Sequence, residues 1–168
     1  MDVIHQKEPF LTKSLIYHKF GFTFEDALPE EESSDYDAYT FKLNGLNILF
    51  RSAKITTTKS GQFVTLWKRL NGPILPFDSK DKIDFVVVNC RTANYYRQFV
   101  FPKSVLLKHG VFTTPCKDGK RTMRVYPSWD IAPNLQARKT QKWQSYYFVD
   151  FTKEINAQRV SLLYNFTV

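Results

Sequence analysis

The first residues that could do chemistry are two carboxylates and a lysine around a predicted β-hairpin. Glu32 and Asp37 lie before or at the start of this hairpin, and Lys54 projects from its second strand. Metal-dependent nucleases hold a divalent ion between carboxylates and place a lysine beside the attacking water. A turn at Asn44-Gly45 pairs Asp37 roughly with residue 52, which brings it near Lys54. These three residues are the candidate catalytic set, and Mg²⁺ is the cofactor that cleavage would need.

The position two residues before Lys54 weakens this hypothesis. It holds Ser52, where a second metal-binding acid is expected. The simpler interpretation is an acidic surface loop next to a lysine that contacts phosphate. Three scattered histidines and the lack of a Cys-x-x-Cys motif predict no zinc site.

Two segments combine cations with aromatic and amide side chains, which is typical of nucleic-acid binding. The first spans residues 51–69, contains no acid, and supplies Arg51, Lys54, Lys59, Gln62, Trp67, Lys68 and Arg69 as candidate contacts. The second spans residues 117–147, where Lys117 and Lys120 precede the candidates Arg121, Arg124, Tyr126, Trp129, Arg138, Lys139, Gln141, Lys142 and Gln144. Such cations release counterions from a phosphate backbone, and aromatic rings stack on bases. The alternative is a basic sheet edge, because lysines also protect edges from pairing.

The helix predicted over residues 134–148 places cations of the second segment on one face. At 100° per residue, Arg138, Lys139 and Lys142 share one face, which favours an anionic ligand. Trp143 and Tyr147 lie on an adjoining side, where the simpler interpretation is that they dock the helix onto the sheet.

The charge of the whole chain agrees with an anionic partner. It has 168 residues and a net charge of +8. Residues 1–40 hold three lysines against nine acids, or −6, so the remaining residues carry 21 basic and seven acidic groups, or +14. With 43% hydrophobic residues the chain is expected to fold as one domain, residues 1–168, with an acidic, partly helical segment over 1–35.

The hydrophobic pattern predicts an α+β fold. Alternating residues over 38–44 and 46–57 indicate a hairpin at Asn44-Gly45, with a third strand at 62–70. The continuous apolar run 83–90 is typical of a strand covered on both faces. The expected architecture is a mostly antiparallel or mixed central sheet flanked by helices.

The chain shows no signal of secretion or membrane insertion. It contains no secretory h-region and no apolar run of about 20 residues. Cys90 and Cys116 are expected to be free thiols. We therefore expect a cytoplasmic protein without a membrane partner.

Three blocks of sequence resemble the MepB-like family of bacterial proteins. They are YDAYTFKLNG, FRSAKITTTKSGQFVTLWKR, and KRTMRVYPSWD followed by QARKTQKWQSYYF, and they cover most of residues 36–150. The family occurs beside multidrug-efflux genes, and its core is similar to the restriction-endonuclease-like superfamily. That resemblance implies Asp37 as the first acid, Lys54 as the lysine and Glu32 as a helix glutamate, with Ser52 replacing the second acid.

The sequence as a whole favours binding without cleavage. We expect a nucleic-acid-binding protein, of DNA or RNA, in which the basic hairpin and the C-terminal basic helix contact a single-stranded or flexible strand. Two alternatives stay open. One is a Mg²⁺-dependent nuclease that uses Glu32, Asp37 and Lys54, and the other is a small-molecule binding protein linked to multidrug efflux.

Overall fold

Eleven strands and four α-helices form residues 7–164 of the computed structural model, the part of the chain that the structure describes. The strands are β1 (Phe24–Pro29), β2 (Tyr39–Leu43), β3 (Leu46–Ser52), β4 (Lys54–Ile55), β5 (Gln62–Thr65), β6 (Trp67–Arg69), β7 (Ile74–Pro76), β8 (Phe85–Arg91), β9 (Tyr96–Pro102), β10 (Thr122–Val125) and β11 (Phe148–Asp150). The helices are α1 (Glu8–Thr12), α2 (Lys103–Lys108), α3 (Leu135–Ser145) and α4 (Ala157–Tyr164). A π-helical turn at Lys13–Tyr17 follows α1, and a 3-10 turn at Ser34–Tyr36 precedes β2.

The central sheet has six strands in the order β1-β2-β3-β8-β9-β11. Strands β3 and β8 run parallel, and the other neighbouring pairs are antiparallel. The predicted α+β class and mixed central sheet are therefore confirmed. Two smaller sheets, β10-β5-β4 and β6-β7, lie outside it. No helix within residues 7–164 is long and apolar enough to cross a bilayer.

The predicted hairpin forms at the predicted turn. Tyr39 pairs with Phe50 and Leu43 pairs with Leu46, so the loop contains only two residues. Asn44 and Gly45 have φ values of 51° and 80°. A two-residue hairpin loop of this kind needs positive φ at both positions, which Asn and Gly adopt most readily.

Two predicted strands are interrupted where the chain changes sheet. The strand predicted over 46–57 breaks at Ala53, because β3 belongs to the central sheet and β4 to the three-stranded sheet. At the break, the backbone N–H of Ala53 donates to the carbonyl of Asn89. The strand predicted over 62–70 breaks at Leu66, whose N–H donates to the carbonyl of Arg121. Each break keeps the backbone donor satisfied while the chain turns, because an unpaired buried N–H is costly.

Strand β8 carries the core on both of its faces, as its continuous apolar run predicts. Val86 and Val88 pack with Leu49 and Phe101 on one side. Phe85 and Val87 pack with Ile48, Phe50 and Val100 on the other. Helix α3 covers the first side, where Trp143 packs against that cluster. The π-helical turn and α4 cover the second side through Tyr17 and Tyr164.

A buried chain of hydrogen bonds fixes α1 and α4 on the sheet. Asn89 donates from Nδ2 to Thr12 Oγ1 (3.0 Å) and Glu8 Oε2 (3.1 Å), and it accepts from Gln98 Nε2 (2.6 Å). Gln98 accepts in turn from the hydroxyl of Tyr164. Asn89 and Gln98 are fully buried, so each polar atom depends on its neighbour for a partner.

We predict that Asn89→Ala lowers the free energy of unfolding by about 3 kcal/mol, because it leaves the buried Nε2 group of Gln98 without an acceptor and removes the donor to Thr12 and Glu8. Urea denaturation measures this loss. The matched control is Asn94→Ala, which truncates an exposed asparagine and is expected to leave stability within about 0.5 kcal/mol of wild type. Equal effects of the two changes would contradict the structural role of Asn89.

Candidate nucleic-acid interface

The outer face of the small sheet is built from residues that pair directly across its three strands. Lys54 of β4 pairs with Phe63 of β5, and Phe63 pairs with Arg124 of β10. Directly paired residues point to the same face. The alternate residues Val64 and Met123 belong to the hydrophobic core, so the opposite face holds the sheet in place.

Helix α3 lies beside this face and closes a cavity of about 430 Å³. The sequence fixes where α3 begins: Asn134 accepts a hydrogen bond from the backbone N–H of Ala137 (2.8 Å), as an N-cap residue does. Three cations line the cavity, Lys59, Lys120 and Arg124. Phe63, His109, Tyr126 and Trp143 supply its aromatic surface, and Asn134, Gln136 and Thr140 add neutral polar groups.

A second cavity of about 560 Å³ continues along α3. It shares His109, Lys120, Gln136, Thr140 and Trp143 with the first cavity and adds Lys117, Lys139, Lys142 and Tyr146. We call the two together the basic groove. Its cations are Lys59, Lys117, Lys120, Arg124, Lys139 and Lys142, and neither cavity is lined by an aspartate or glutamate.

The cations of the basic groove have no acidic partners within residues 7–164. None of the five lysines forms an ion pair with a described residue, and Arg124 donates to the backbone carbonyl of Ser60 (3.1 Å). Their charges therefore repel one another with no compensating carboxylate nearby. Such a surface has a positive potential that attracts anions.

A stacked ring pair lies where the two cavities meet. His109 and Trp143 are parallel to within 6°, with their centroids 4.1 Å apart. Trp143 also packs on Phe101 at 5.5 Å, so it both docks α3 and lines the groove. Burial, with a smaller effect of neighbouring Lys108, lowers the pKa of His109. The neutral imidazole is therefore favoured at pH 7, and it adds an aromatic surface to the groove.

Cations and rings alternate on the sheet face next to the groove. The guanidinium carbon of Arg124 lies 5.5 Å from the centroid of Phe63, and Lys54 Nζ lies 4.6 Å from that of Tyr36. Tyr36 and Phe63 are 6.2 Å apart. Lys54 therefore flanks the basic groove, on the same face as Arg124.

Arg51, predicted to contact phosphate, is instead buried inside the protein. Its side chain is 0% exposed and donates to Glu30 Oε1 (2.8 Å), Phe50 O (2.9 Å) and Thr65 O (3.0 Å). That prediction is wrong, because the guanidinium has no surface left to offer a ligand. Glu30 directly follows β1 and supplies the opposing charge.

Several other predicted contact residues are buried or bonded to other residues of the protein. Lys68 Nζ is bound by Asp78 (3.0 Å) and Asp81 (2.7 Å), and hydrogen bonds to these carboxylates raise its pKa despite the opposing effect of burial. Gln62 is buried. Gln144 donates to Arg124 O and accepts from Tyr126 N, so it ties α3 to β10 instead of reading bases.

The remaining predicted contacts lie outside the basic groove. Gln141 donates to the carbonyls of Pro127 and Asp130, and Arg121 donates to that of Ile74. Arg69 stacks on Trp67 and pairs with Glu32, and Trp129 stacks on Arg97. Arg138 is exposed on α3 but lines neither cavity, so only Lys139 and Lys142 of the predicted helix face reach the groove.

The candidate catalytic residues make separate contacts. Asp37 accepts from Lys7 Nζ and from the N–H of Glu8, each at 3.4 Å. Glu32 lies 3.6 Å from Arg69, and Lys54 stacks on Tyr36. Within residues 7–164 no group of three or more His, Cys, Asp or Glu side chains is placed to hold a metal ion.

Sequence reasoning does not select His109 or Phe63 as contacts, and it assigns Trp143 to docking alone. Phe63 is an aromatic residue in the acid-free segment 51–69, and its place in the interface follows from its pairing with Arg124. His109 ends α2 and reaches the groove only through tertiary packing, so no local pattern marks it. Trp143 was interpreted as a docking residue, which it also is.

The mixed sheet and its flanking basic groove define an α+β protein with one strongly cationic face. A family model described as MepB-like matches residues 30–150. A crystal structure of MepB is similar at 32% identity and a TM-score of 0.77, covering 89% of this chain and 99% of that one. A search of curated proteins found no match. The chain belongs to the MepB-like family, as the resemblance predicts.

We predict that Arg51→Met lowers the free energy of unfolding by about 3 kcal/mol, because it leaves Glu30 without its partner and removes the guanidinium donor to the carbonyls of Phe50 and Thr65. Urea denaturation measures this loss. The same variant is expected to bind anionic polymers with wild-type salt dependence, since Arg51 is not in the groove. A stable Arg51→Met protein with a reduced salt dependence would show that Arg51 contacts the ligand after all.

We predict that His109 makes the fold less stable in acid. Its folded pKa is lowered, so its contribution is complete above the unfolded value near 6.5 and falls as the pH drops through the lower, folded value. Urea denaturation at pH 7.5 and pH 5 is expected to show a smaller loss for His109→Gln than for wild type. The control His18→Gln removes an exposed histidine, and an equal effect of both variants would contradict the assignment.

Proposed function

We propose that this protein binds nucleic acid along the basic groove. One observation carries the proposal: six cations and several aromatic rings line a continuous concave surface on which no carboxylate lies. Protein surfaces usually mix charges of both signs. A one-sided cationic groove with exposed rings matches the two features of a nucleic-acid strand, its phosphates and its bases.

The electrostatics supply the driving force. The groove lysines have no ion-pair partners among the described residues, so binding a polyanion breaks no existing salt bridge. It also relieves their mutual repulsion and releases the counterions condensed on the strand. We assign phosphate contacts to the six groove cations, with Lys54 as a flanking contact.

The shape of the groove favours a single strand over a duplex. Proteins that read duplex DNA insert a protruding helix or ribbon into the major groove. Here the interface is concave and lies between a sheet face and α3, whose 11 residues span about 16 Å. A single strand can enter such a groove and stack bases on Phe63, Tyr126 or Trp143. Asn134, Gln136 and Thr140 can hydrogen-bond to base edges.

The nuclease and small-molecule hypotheses stay predictions. Asp37, Glu32 and Lys54 are bound to three different partners, which gives the Mg²⁺-dependent mechanism no further support. No contact among residues 7–164 favours a drug over a nucleic acid in the basic groove. Binding without cleavage is the function that the geometry supports best.

We predict that Lys120→Ala and Lys142→Ala each weaken binding of a labelled single-stranded oligonucleotide. Each variant removes one phosphate contact, so the slope of log K against log salt is expected to become shallower by about 0.7 per residue. Fluorescence anisotropy across a salt series measures the slope. The matched control is Lys153→Ala, which removes an exposed lysine outside both cavities and is expected to keep the wild-type slope.

Two results would contradict this proposal. One is wild-type protein that fails to bind the oligonucleotide at low salt. The other is a slope that Lys153→Ala reduces as much as the two groove variants do, because binding would then depend on net charge and not on the groove.

A further inference from the structure

A third cavity, of about 310 Å³, adjoins the basic groove at Lys59. Lys59 lines both, so a strand that leaves the groove past this residue reaches the third cavity next. The walls differ from those of the groove. They include two aromatic rings, Tyr95 and Trp129, the backbone of Gly61, and one carboxylate, Asp130.

The two rings are held in place by an arginine. The guanidinium carbon of Arg97 lies 3.5 Å from the centroid of Trp129 and 3.8 Å from that of Tyr95. Arg97 Nε donates to Asp150 (2.8 Å), which fixes the guanidinium. Tyr95 and Trp129 nevertheless stay 46% and 43% exposed. Arg97 lies between the two rings, whose planes differ by 22° and whose centroids are 6.2 Å apart, so a flat ligand can stack on the exposed outer face of one ring only. Because Arg97 already fixes both rings, little side-chain entropy is lost when a ligand stacks there.

The carboxylate of Asp130 is unusual for this part of the chain. It forms no ion pair with any residue in the range 7–164, although cations outnumber acids strongly around it. Burial raises the pKa of Asp130, and the nearby backbone N–H of Gly61 opposes this rise. Its own backbone is anchored by Pro127 O and by Gln141, so the side chain is positioned and not merely solvated.

A carboxylate in this position selects for N–H donors. A carboxylate repels phosphate, so Asp130 cannot bind phosphate as the groove cations do. Its two oxygens carry lone pairs that can accept two parallel N–H groups. Among the bases of nucleic acids, guanine presents two adjacent donors of this kind, N1–H and the N2 amino group. Adenine and cytosine present a donor beside an acceptor, and thymine and uracil present a donor between acceptors.

We propose that this third cavity binds a guanine base, which stacks on the exposed face of one of the two rings held by Arg97 and donates from N1 and N2 to Asp130. The inference rests on the proposed function where the base belongs to a strand in the basic groove. The same base chemistry also occurs in a free guanine nucleotide. The experiment below therefore includes both sources.

The test measures binding of three labelled ten-residue oligonucleotides by fluorescence anisotropy. One contains thymine only, one has a single central guanine, and one has inosine in place of that guanine, which removes the N2 amino group without changing the protein. The guanine oligonucleotide is expected to bind wild-type protein about tenfold more tightly than the thymine one, and inosine is expected to lose most of this preference. Calorimetry with GMP and AMP covers the free nucleotide.

The protein variants are Asp130→Asn and its matched control Asp118→Asn. Asp118 is exposed and lines no cavity described above, so both changes remove one negative charge from the same basic region. Both are expected to tighten thymine binding by the same small factor. Asp130→Asn alone is expected to abolish the guanine preference, because an amide presents one oxygen and one N–H group.

Each result decides a different point. Tight binding of all three oligonucleotides without a guanine preference overturns this inference and leaves the proposed function intact. If no oligonucleotide binds, the proposed function fails, and GMP then decides: binding that Asp130→Asn removes supports a free guanine nucleotide, and no binding of GMP overturns the inference. A guanine preference that survives Asp130→Asn overturns the role of Asp130.

Discussion

The pairing of β5 with β10 is the interaction on which the candidate interface depends. It joins Phe63 to Arg124 and so brings together two basic segments that are far apart in the sequence. The buried residues Val64, Met123 and Val125 hold the pair against the core, while the outer face stays exposed. Gln144 extends the connection to α3 by bonding to the backbone on both sides of Val125. Without this pairing the cations would be scattered and the groove would have no wall.

The acidic N-terminal part of the chain explains why the groove cations stay unopposed. Its carboxylates pair with cations elsewhere: Glu8 with Arg91, Glu30 with Arg51, Glu32 with Arg69 and Asp37 with Lys7. Lys68 is neutralised in the same way by Asp78 and Asp81. The net charge of +8 is therefore distributed so that several ion pairs support the fold, while the six cations along the groove stay unpaired within residues 7–164. The location of the unpaired charges matters more for binding than their sum.

Local patterns in the sequence predict much of the fold. Asn44-Gly45 determines a two-residue turn, the apolar run of β8 requires cover on both faces, and Asn134 marks the start of α3. These signals depend on neighbouring residues only. Strands β1 and β11 and helix α4 were not predicted, because their residues follow no clear period and are ordered by packing on the sheet.

The candidate site was less predictable because charge alone does not reveal partners. Arg51 and Arg124 look equivalent in the sequence, yet they have different partners. Arg51 pairs with Glu30, which directly follows the unpredicted strand β1, whereas Arg124 lines the groove. Lys68 and Lys120 differ for the same reason. His109 was not predicted but lies in the groove, because tertiary packing places it on Trp143. Family membership was predictable because it depends on long blocks of sequence and not on individual contacts.

The central claim is that a nucleic-acid strand lies in the basic groove. The most direct measurement is photo-crosslinking of an oligonucleotide that carries 4-thiouridine, followed by mass-spectrometric mapping of the modified residues. The account predicts crosslinks at the groove rings Phe63, Tyr126 and Trp143. Crosslinks concentrated at Trp67, on the separate β6-β7 hairpin, or spread evenly over the exposed aromatic residues would contradict it.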